Sequence, residues 1–264
     1  MTTLARMRRW PMMWALAAAV PLATPAVPAQ AQGLEEEGPK TLVVAYRADP
    51  ATRAAFRGYM AGDHAAMLRK LKADGTIAGF RIFFSWYSQP DVWDAMVELS
   101  FATPEKVLAW NQIERTMPGG LSTKGLALGR PVLTSSADRT FSGGTPNRPQ
   151  AQDGAYYVIP YQFSNAAEYR DYAKAYVLPQ YDGWLKSGLL ASYDVLLNRY
   201  PVGDPWDSLV ILQYRDAIAL GKRQHILDEV RKDLVKIPEW QAYHKRKADI
   251  RSETENSVAD LIAQ

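Results

Sequence analysis

Displaced by 113 positions, about fifty residues of the chain overlay on a later stretch without a gap. Trp93-Asp94 falls on Trp206-Asp207, and DVWDAMVEL (Asp91–Leu99) falls on DPWDSLVIL (Asp204–Leu212). The same offset carries Phe56–Tyr59 (FRGY) onto Tyr169–Tyr172 (YRDY), Gly75 onto Gly188, Ala78 onto Ala191, Phe80 onto Tyr193 and Tyr87 onto Tyr200. One register held from Phe56 to Leu99 is the signature of a duplicated folding unit. Whatever this chain folds into, it builds it twice.

Each copy has the same order of elements. Thr41–Arg47, TLVVAYR, is rich in strand formers. Asp49-Pro50 opens a helix that runs to about Asp74 and stops at Gly75, where glycine suits a left-handed cap. Ile77–Tyr87 and Val92–Phe101 make a hairpin about Ser88–Asp91, and Thr103-Pro104 starts a second helix. The second copy repeats this with a strand over 155–162, a helix from Asn165 with Glu168 as capping partner, a hairpin of 189–200 with 206–215, and a helix from Asp216. Residues 119–153 are rich in Gly, Ser, Thr and Pro, and are expected to hold one short strand, Pro131–Ser135, and a linker. The expected units are therefore 40–136 and 154–264, joined by a linker over 137–153.

This order resembles the ferredoxin-like α+β sandwich. Two such units facing each other by their sheets resemble the dimeric α+β barrel superfamily, here fused in one chain. The resemblance rests on topology and duplication rather than on a diagnostic motif. It implies an α+β fold of two ferredoxin-like βαββα(β) repeats closed as a pseudo-dimeric barrel. That superfamily hosts cofactor-free monooxygenases, cyclases, lyases, haem-degrading enzymes and plain binding proteins, so the fold does not choose the function.

The first residues point to export. Arg6, Arg8 and Arg9 precede an apolar run from Trp10 to Val27, and Ala29-Gln30-Ala31 supplies the small residues of a cleavage site. Residues 1–31 read as a signal peptide, and the expected location is the periplasm. This leader carries three of the 31 basic residues and none of the 28 acidic ones, so the remainder is balanced in charge. No nucleic-acid footprint follows, and no later segment is apolar and long enough to span a bilayer. Cysteine is absent, which rules out disulfides and thiol catalysis.

Alternation along the hairpins assigns two faces. Trp93, Ala95, Val97, Leu99 and Phe101, with Phe80, Ile82, Phe84 and Trp86, form an apolar face expected under the helices. Asp94, Met96, Glu98 and Ser100 share the other face with Arg81, Phe83, Ser85 and Tyr87; in the second copy it carries Asp194, Leu196, Asn198, Tyr200, Asp207, Leu209, Ile211 and Gln213. With the sheets facing each other, these mixed rows line the interior, and a polar chamber rimmed by aromatics is expected there. Arg81 falls directly opposite Glu98.

The copies differ where chemistry is expected. Glu98 is matched by Ile211, His64 by Val177, Asp63 by Tyr176 and Arg81 by Asp194. His64, Asp63 and Glu98 are the candidate acid/base set, with Asp63 expected inside the buried stripe Phe56, Met60, Met67, Leu71 and His64 at its edge. Arg47 and Arg81 are candidates for holding a carboxylate or enolate; Trp86, Tyr87, Asn198 and Tyr200 are candidates for contacting a flat ligand. No metal-binding, dinucleotide, phosphate-loop or GxSxG motif appears, so neither metal nor cofactor is expected. Three functions fit: a cofactor-independent lyase (such as a decarboxylase), isomerase or cyclase acting on a small aromatic or flat organic molecule; a binder of haem, with His64 as axial ligand, or of another hydrophobic molecule; and a non-catalytic module. The expected partner is a small aromatic ligand, with homo-oligomers compatible and neither nucleic acid nor membrane involved after leader removal.

Overall fold

The computed structural model describes residues 40–145, 154–201, 203 and 206–264. The expected leader, the 146–153 part of the expected linker, and Asp204 lie outside them. Among the described residues nine strands form: β1 Thr41–Ala48, β2 Gly79–Ser85, β3 Ala95–Ser100, β4 Gly129–Gly144, β5 Ala155–Phe163, β6 Leu190–Asn198, β7 Ser208–Tyr214, β8 Arg251–Glu253 and β9 Ser257–Ala263. All described pairings are antiparallel. The spatial order is β7-β6-β4-β1-β3-β2-β9-β5-β8, and a further β7–β5 pairing closes eight of these strands into a barrel.

Within that ring the first half contributes β4-β1-β3-β2 and the second β9-β5-β7-β6, the same order twice. The seams are β4 on β6 and β2 on β9, so each half's last long strand completes its partner's sheet. Both seams carry a register shift at the corresponding place, between Arg139 and Phe141 on one and between Ile82 and Phe83 on the other. β8 and β9 together stand where β4 runs unbroken.

Helices cover the outside. In the first half α1 (Arg53–Tyr59) passes through a π-helical turn, Met60–His64, into α2 (Ala65–Ala73), followed by α3 (Pro104–Thr116) and α4 (Thr123–Leu126). In the second, α5 (Ala166–Tyr172) passes through a π turn, Ala173–Val177, into α6 (Leu178–Lys186), with α7 (Ala217–Gly221), α8 (Arg223–Leu234) and α9 (Pro238–Ile250) after β7. The helix stops hold: Gly75 (φ +75°) and Gly188 (φ +72°) take the left-handed conformation. Asn165 caps α5 by accepting from the Ala167 and Glu168 amides at 3.0 Å.

Three apolar clusters follow. One lies between the first half's sheet and helices (Leu42, Val44, Tyr46, Phe56, Ile82, Val97, Leu99, Trp110 among others), and a second in the matching place of the second half. The third fills the barrel itself, with Val43, Phe83, Met96, Tyr156, Leu196, Leu209 and Ile211 buried. The expected interior face is therefore correct, but the open chamber is not. Eight strands enclose a space that side chains fill, and polar groups gather toward the two mouths.

Other expectations shift at the element ends. β2 stops at Ser85 and β3 starts at Ala95, so the connection is longer than a tight turn. Alternation lapses beyond those points: Trp93 turns inward onto the barrel cluster, and Trp86 crosses to the second half's core. β4 does not end at Ser135 but continues to Gly144, because pairing with β6 overrides a linker-like composition.

Candidate functional site

The duplicated Trp-Asp pair comes first, because it has a structural task. Asp94 Oδ2 accepts from the Ala48 amide at 2.9 Å, and Asp207 Oδ2 accepts from the Phe163 amide at 2.9 Å. Both aspartates thus tie off the end of their half's first strand. Folding requires them in each copy, which explains why the motif is written twice.

The charged interior is written once. Register places Arg81 on β2 opposite Glu98 on β3. Arg81 Nε donates to Glu98 Oε2 at 2.6 Å, and its Nη2 donates to Asp194 Oδ2 at 2.7 Å across the barrel. Arg139 on β4 closes the circuit: Nη1 donates to Asp194 Oδ1 at 3.1 Å and Nη2 to Glu98 Oε1. Two guanidiniums and two carboxylates form one neutral ring. The Glu98 and Asp194 side chains are almost fully buried, at 2% and 3% exposure, whereas Arg139 retains 35%. Burial pushes the Glu98 carboxyl up, but Arg81 and Arg139 outweigh it and hold its pKa below the ordinary value. Burial likewise works against the Arg81 cation, and Glu98 and Asp194 more than offset it.

Divergence between the copies made the ring possible. Arg81 and Asp194 occupy equivalent positions that meet across the barrel, and there the duplication has split into opposite charges. Glu98 answers to Ile211. By the seam registers, Arg139 opposite Leu196 answers to Leu261 opposite Phe83. One quadrant is ionic and its counterpart apolar.

A cavity of about 400 Å³ opens against the ring, lined by Lys72, Gly79, Phe80, Arg81, Glu98 and Arg139 among others. Of the two carboxylates Glu98 lines it, with one oxygen held by Arg81 and the other by Arg139. Arg81 Nη1 and Arg139 Nε make no hydrogen bond among the described residues, and Arg81, Arg139 and Lys72 outnumber Glu98 among the charged side chains along this edge. Such an edge suits an organic anion.

The expected catalytic trio is not brought together. Glu98 lies inside the barrel, while His64 lies on the opposite face of the sheet, beneath the helices, beside Tyr46 and Tyr59. Asp63 is at the surface, paired with Lys124 at 2.7 Å and more than half exposed. The π turn explains this, because its extra residue rotates Asp63 out of the apolar stripe and His64 in. Arg47 sits at the other mouth. Tyr87 and Tyr200 are 62% and 59% exposed at the hairpin tips and line no described cavity. Asn198 holds its own loop, donating to the Trp206 carbonyl and accepting from the Tyr200 amide. Trp86 Nε1 donates to Asp260 at 2.6 Å and pins β9 to the hairpin. Arg139 was missed with the supposed linker. The one available signal was an arginine in an alternating run, TSSADRTF.

His64 has a distinct environment. Both ring nitrogens are buried without a hydrogen bond, and burial lowers its pKa to about 4. A neutral imidazole with its one lone pair free has the chemistry of an axial haem ligand. The space does not match: Tyr46, Tyr59, Met60, Trp110 and Leu121 around it are all buried. Gly120 closes the site so tightly that a Cβ would lie 2.8 Å from Trp110.

No protein-family model and no curated protein matches the sequence. Among solved structures, a candidate monooxygenase from Fusobacterium nucleatum superposes with a TM-score of 0.50 at 8% identity, covering 86% of this chain and 94% of that one. An anthrone oxidase-like protein superposes with a TM-score of 0.50 at 11% identity, covering 87% and 95%. At such identities the likeness is one of fold.

Proposed function

The chain has the dimeric α+β barrel fold with both ferredoxin-like halves in one polypeptide, and from its single charged quadrant we propose that it binds and acts on a small organic acid in the cavity over the ring. The observation that carries this reading is the pairing of free guanidinium donors with a carboxylate, Glu98, on one cavity floor. In the resting state Glu98 is a poor base, because two arginines hold its charge. A substrate carboxylate arriving on Arg139, Arg81 and Lys72 competes for those donors and raises the proton affinity of Glu98. Glu98 then takes a proton from the carbon next to the bound carboxylate, and the arginines stabilise the resulting enolate. Lyase and isomerase chemistry both begin with that step.

The second half indicates the test. Glu98→Ile with Arg139→Leu copies Ile211 and Leu261 and leaves Arg81 paired with Asp194. This double variant should keep its melting temperature within a few degrees, since an ion pair is exchanged for apolar residues the fold already uses. It should lose whatever organic-acid turnover the wild type shows, together with calorimetric binding of that turned-over acid. Undiminished binding or turnover in a folded double variant would refute the assignment.

A haem or flat hydrophobic ligand at His64 is the second reading, favoured by its two unpartnered nitrogens. It requires residues 118–122 to leave His64 and Trp110. Absence of a Soret shift on haemin titration, or a shift unchanged in His64→Leu, would reject it. Residues 1–31, read as a signal peptide, support a location outside the cytoplasm for either activity; N-terminal sequencing of the exported protein, with cleavage after Ala31 expected, tests it.

A further inference from the structure

The barrel's other mouth holds a second cationic feature that the charged ring does not explain. Arg47 at the end of β1 and Arg130 at the start of β4 are direct partners in the β1–β4 register, so two like charges stand side by side on one face. Like charges so placed destabilise a sheet unless something between them compensates. Neither forms an ion pair among the described residues. Arg47 donates only to the Val92 and Gln89 carbonyls, at 3.3 and 3.5 Å, and Arg130 is exposed with no hydrogen bond among the described residues. Both line a cavity of about 440 Å³ with Ser88, Gln89, Asp49 and Asp94. Asp94 cannot neutralise them, because one oxygen takes the Arg53 guanidinium at 2.5 Å and the other the Ala48 amide. Asp49 leaves the site with a net positive charge.

The duplication supplies a control within the same molecule. The equivalent mouth of the second half is a cavity of about 420 Å³ lined by Gln162, Ser252 and Asp207 among others. Register places Gln162 and Ser252 as partners, in the positions of Arg47 and Arg130. Asp207 keeps the strand-end hydrogen bond of Asp94 there. The second half builds the same strand ends and cavity without the arginine pair, so folding does not demand it.

We infer that Arg47 and Arg130, with Ser88 and Gln89, form a binding site for the oxyanion group, carboxylate or phosphate, of a small molecule. The two forks face one cavity, and an oxyanion bridging them removes the like-charge repulsion while using both sets of donors. This site lies at the opposite mouth from the charged ring and stands independently of the reading given for it.

The experiment is isothermal titration of the full chain at low ionic strength with inorganic phosphate and, separately, with malonate. At least one probe should bind saturably, and the tighter of the two names the anion class. Arg47→Gln with Arg130→Ser, the residues of the second half, should weaken that binding by about tenfold or more while the anion-free melting curve stays unchanged. Glu98→Ile with Arg139→Leu should leave this binding intact, which separates the two sites. Should the Arg47 variant fail to fold, Arg130→Ser alone carries the test, since that side chain is exposed. Failure of both probes to saturate, or equal affinity in the folded Arg130 variant, would overturn the inference.

Discussion

Keeping His64 buried with two idle nitrogens means that it must stay neutral, and the stability of the molecule then depends on pH. Its pKa in the folded chain is about 4, against 6.5 for the free side chain. As pH falls, the unfolded chain takes up this proton first. The contribution is whole above about pH 6.5 and is lost progressively as pH falls toward 4, amounting to about 3 kcal/mol over the full interval. His64→Leu, which moves the site toward the Val177 of the other copy, removes that dependence. Urea midpoints measured from pH 7 to 4.5 should fall more steeply for the wild type than for the variant; parallel curves would show that the ring is not the titrating group. At this scale the sequence was informative where two residues share one register. Arg81 opposite Glu98 was legible because a hairpin fixes its own pairing. Asp194 completing the ring was not, because that contact depends on how two sheets close on each other.

Elements were legible in kind and order, but less so in phase. Phe56, Met60, Met67 and Leu71 fit one unbroken α-helical stripe. In the structure the stripe passes from Phe56, Tyr59 and Met60 to His64, Ala65 and Leu68, because a π turn inserts one residue. The second half places its π turn at Ala173–Val177, at the repeat distance from Met60–His64, so the insertion predates or survived the duplication. No single residue announces such a turn. Gly62 is the natural place to probe it, since a side chain there would meet nothing. Inserting one alanine after Gly62 adds a second extra residue, beyond the one that the π turn absorbs, and turns everything after it by about 100°, carrying Leu68 off the core. The expected cost is about 2–5 kcal/mol, the price of emptying a buried leucine site. A Gly62→Ala substitution, which keeps the phase, should cost little by comparison. Chemical denaturation of both variants decides the matter: equal stabilities would mean that the helix can slide and that its phase holds nothing in place.

The whole molecule is held by exchange between its halves, and the charges at the centre give that exchange a direction. Each half leaves its second strand (β2 or β6) and its last long strand (β4 or β9) waiting for the other's edges, so an isolated half exposes two unpaired strands. A homodimer of the first half could satisfy those edges geometrically, since the halves share one strand order. It would, however, set Arg81 against Arg81 where the intact chain sets Arg81 against Asp194, and a dimer of the second half would oppose Asp194 to Asp194. Like charges forced together in a nearly dry interior cost several kcal/mol, whereas the mixed pair is balanced. Residues 40–145 and 154–264, produced as separate chains and mixed, should therefore associate with each other in preference to themselves. Differential tagging followed by size exclusion reads this directly. Exchanging the charges, Arg81→Asp in one fragment with Asp194→Arg in the other, should preserve the hetero-association less well than the native pair, because Glu98 and Arg139 were arranged around the original polarity. Either single exchange should weaken it further by leaving two like charges at the contact. If first-half fragments dimerise with themselves as readily as with second-half fragments, then strand pairing alone governs closure and the buried ring contributes nothing to the choice of partner.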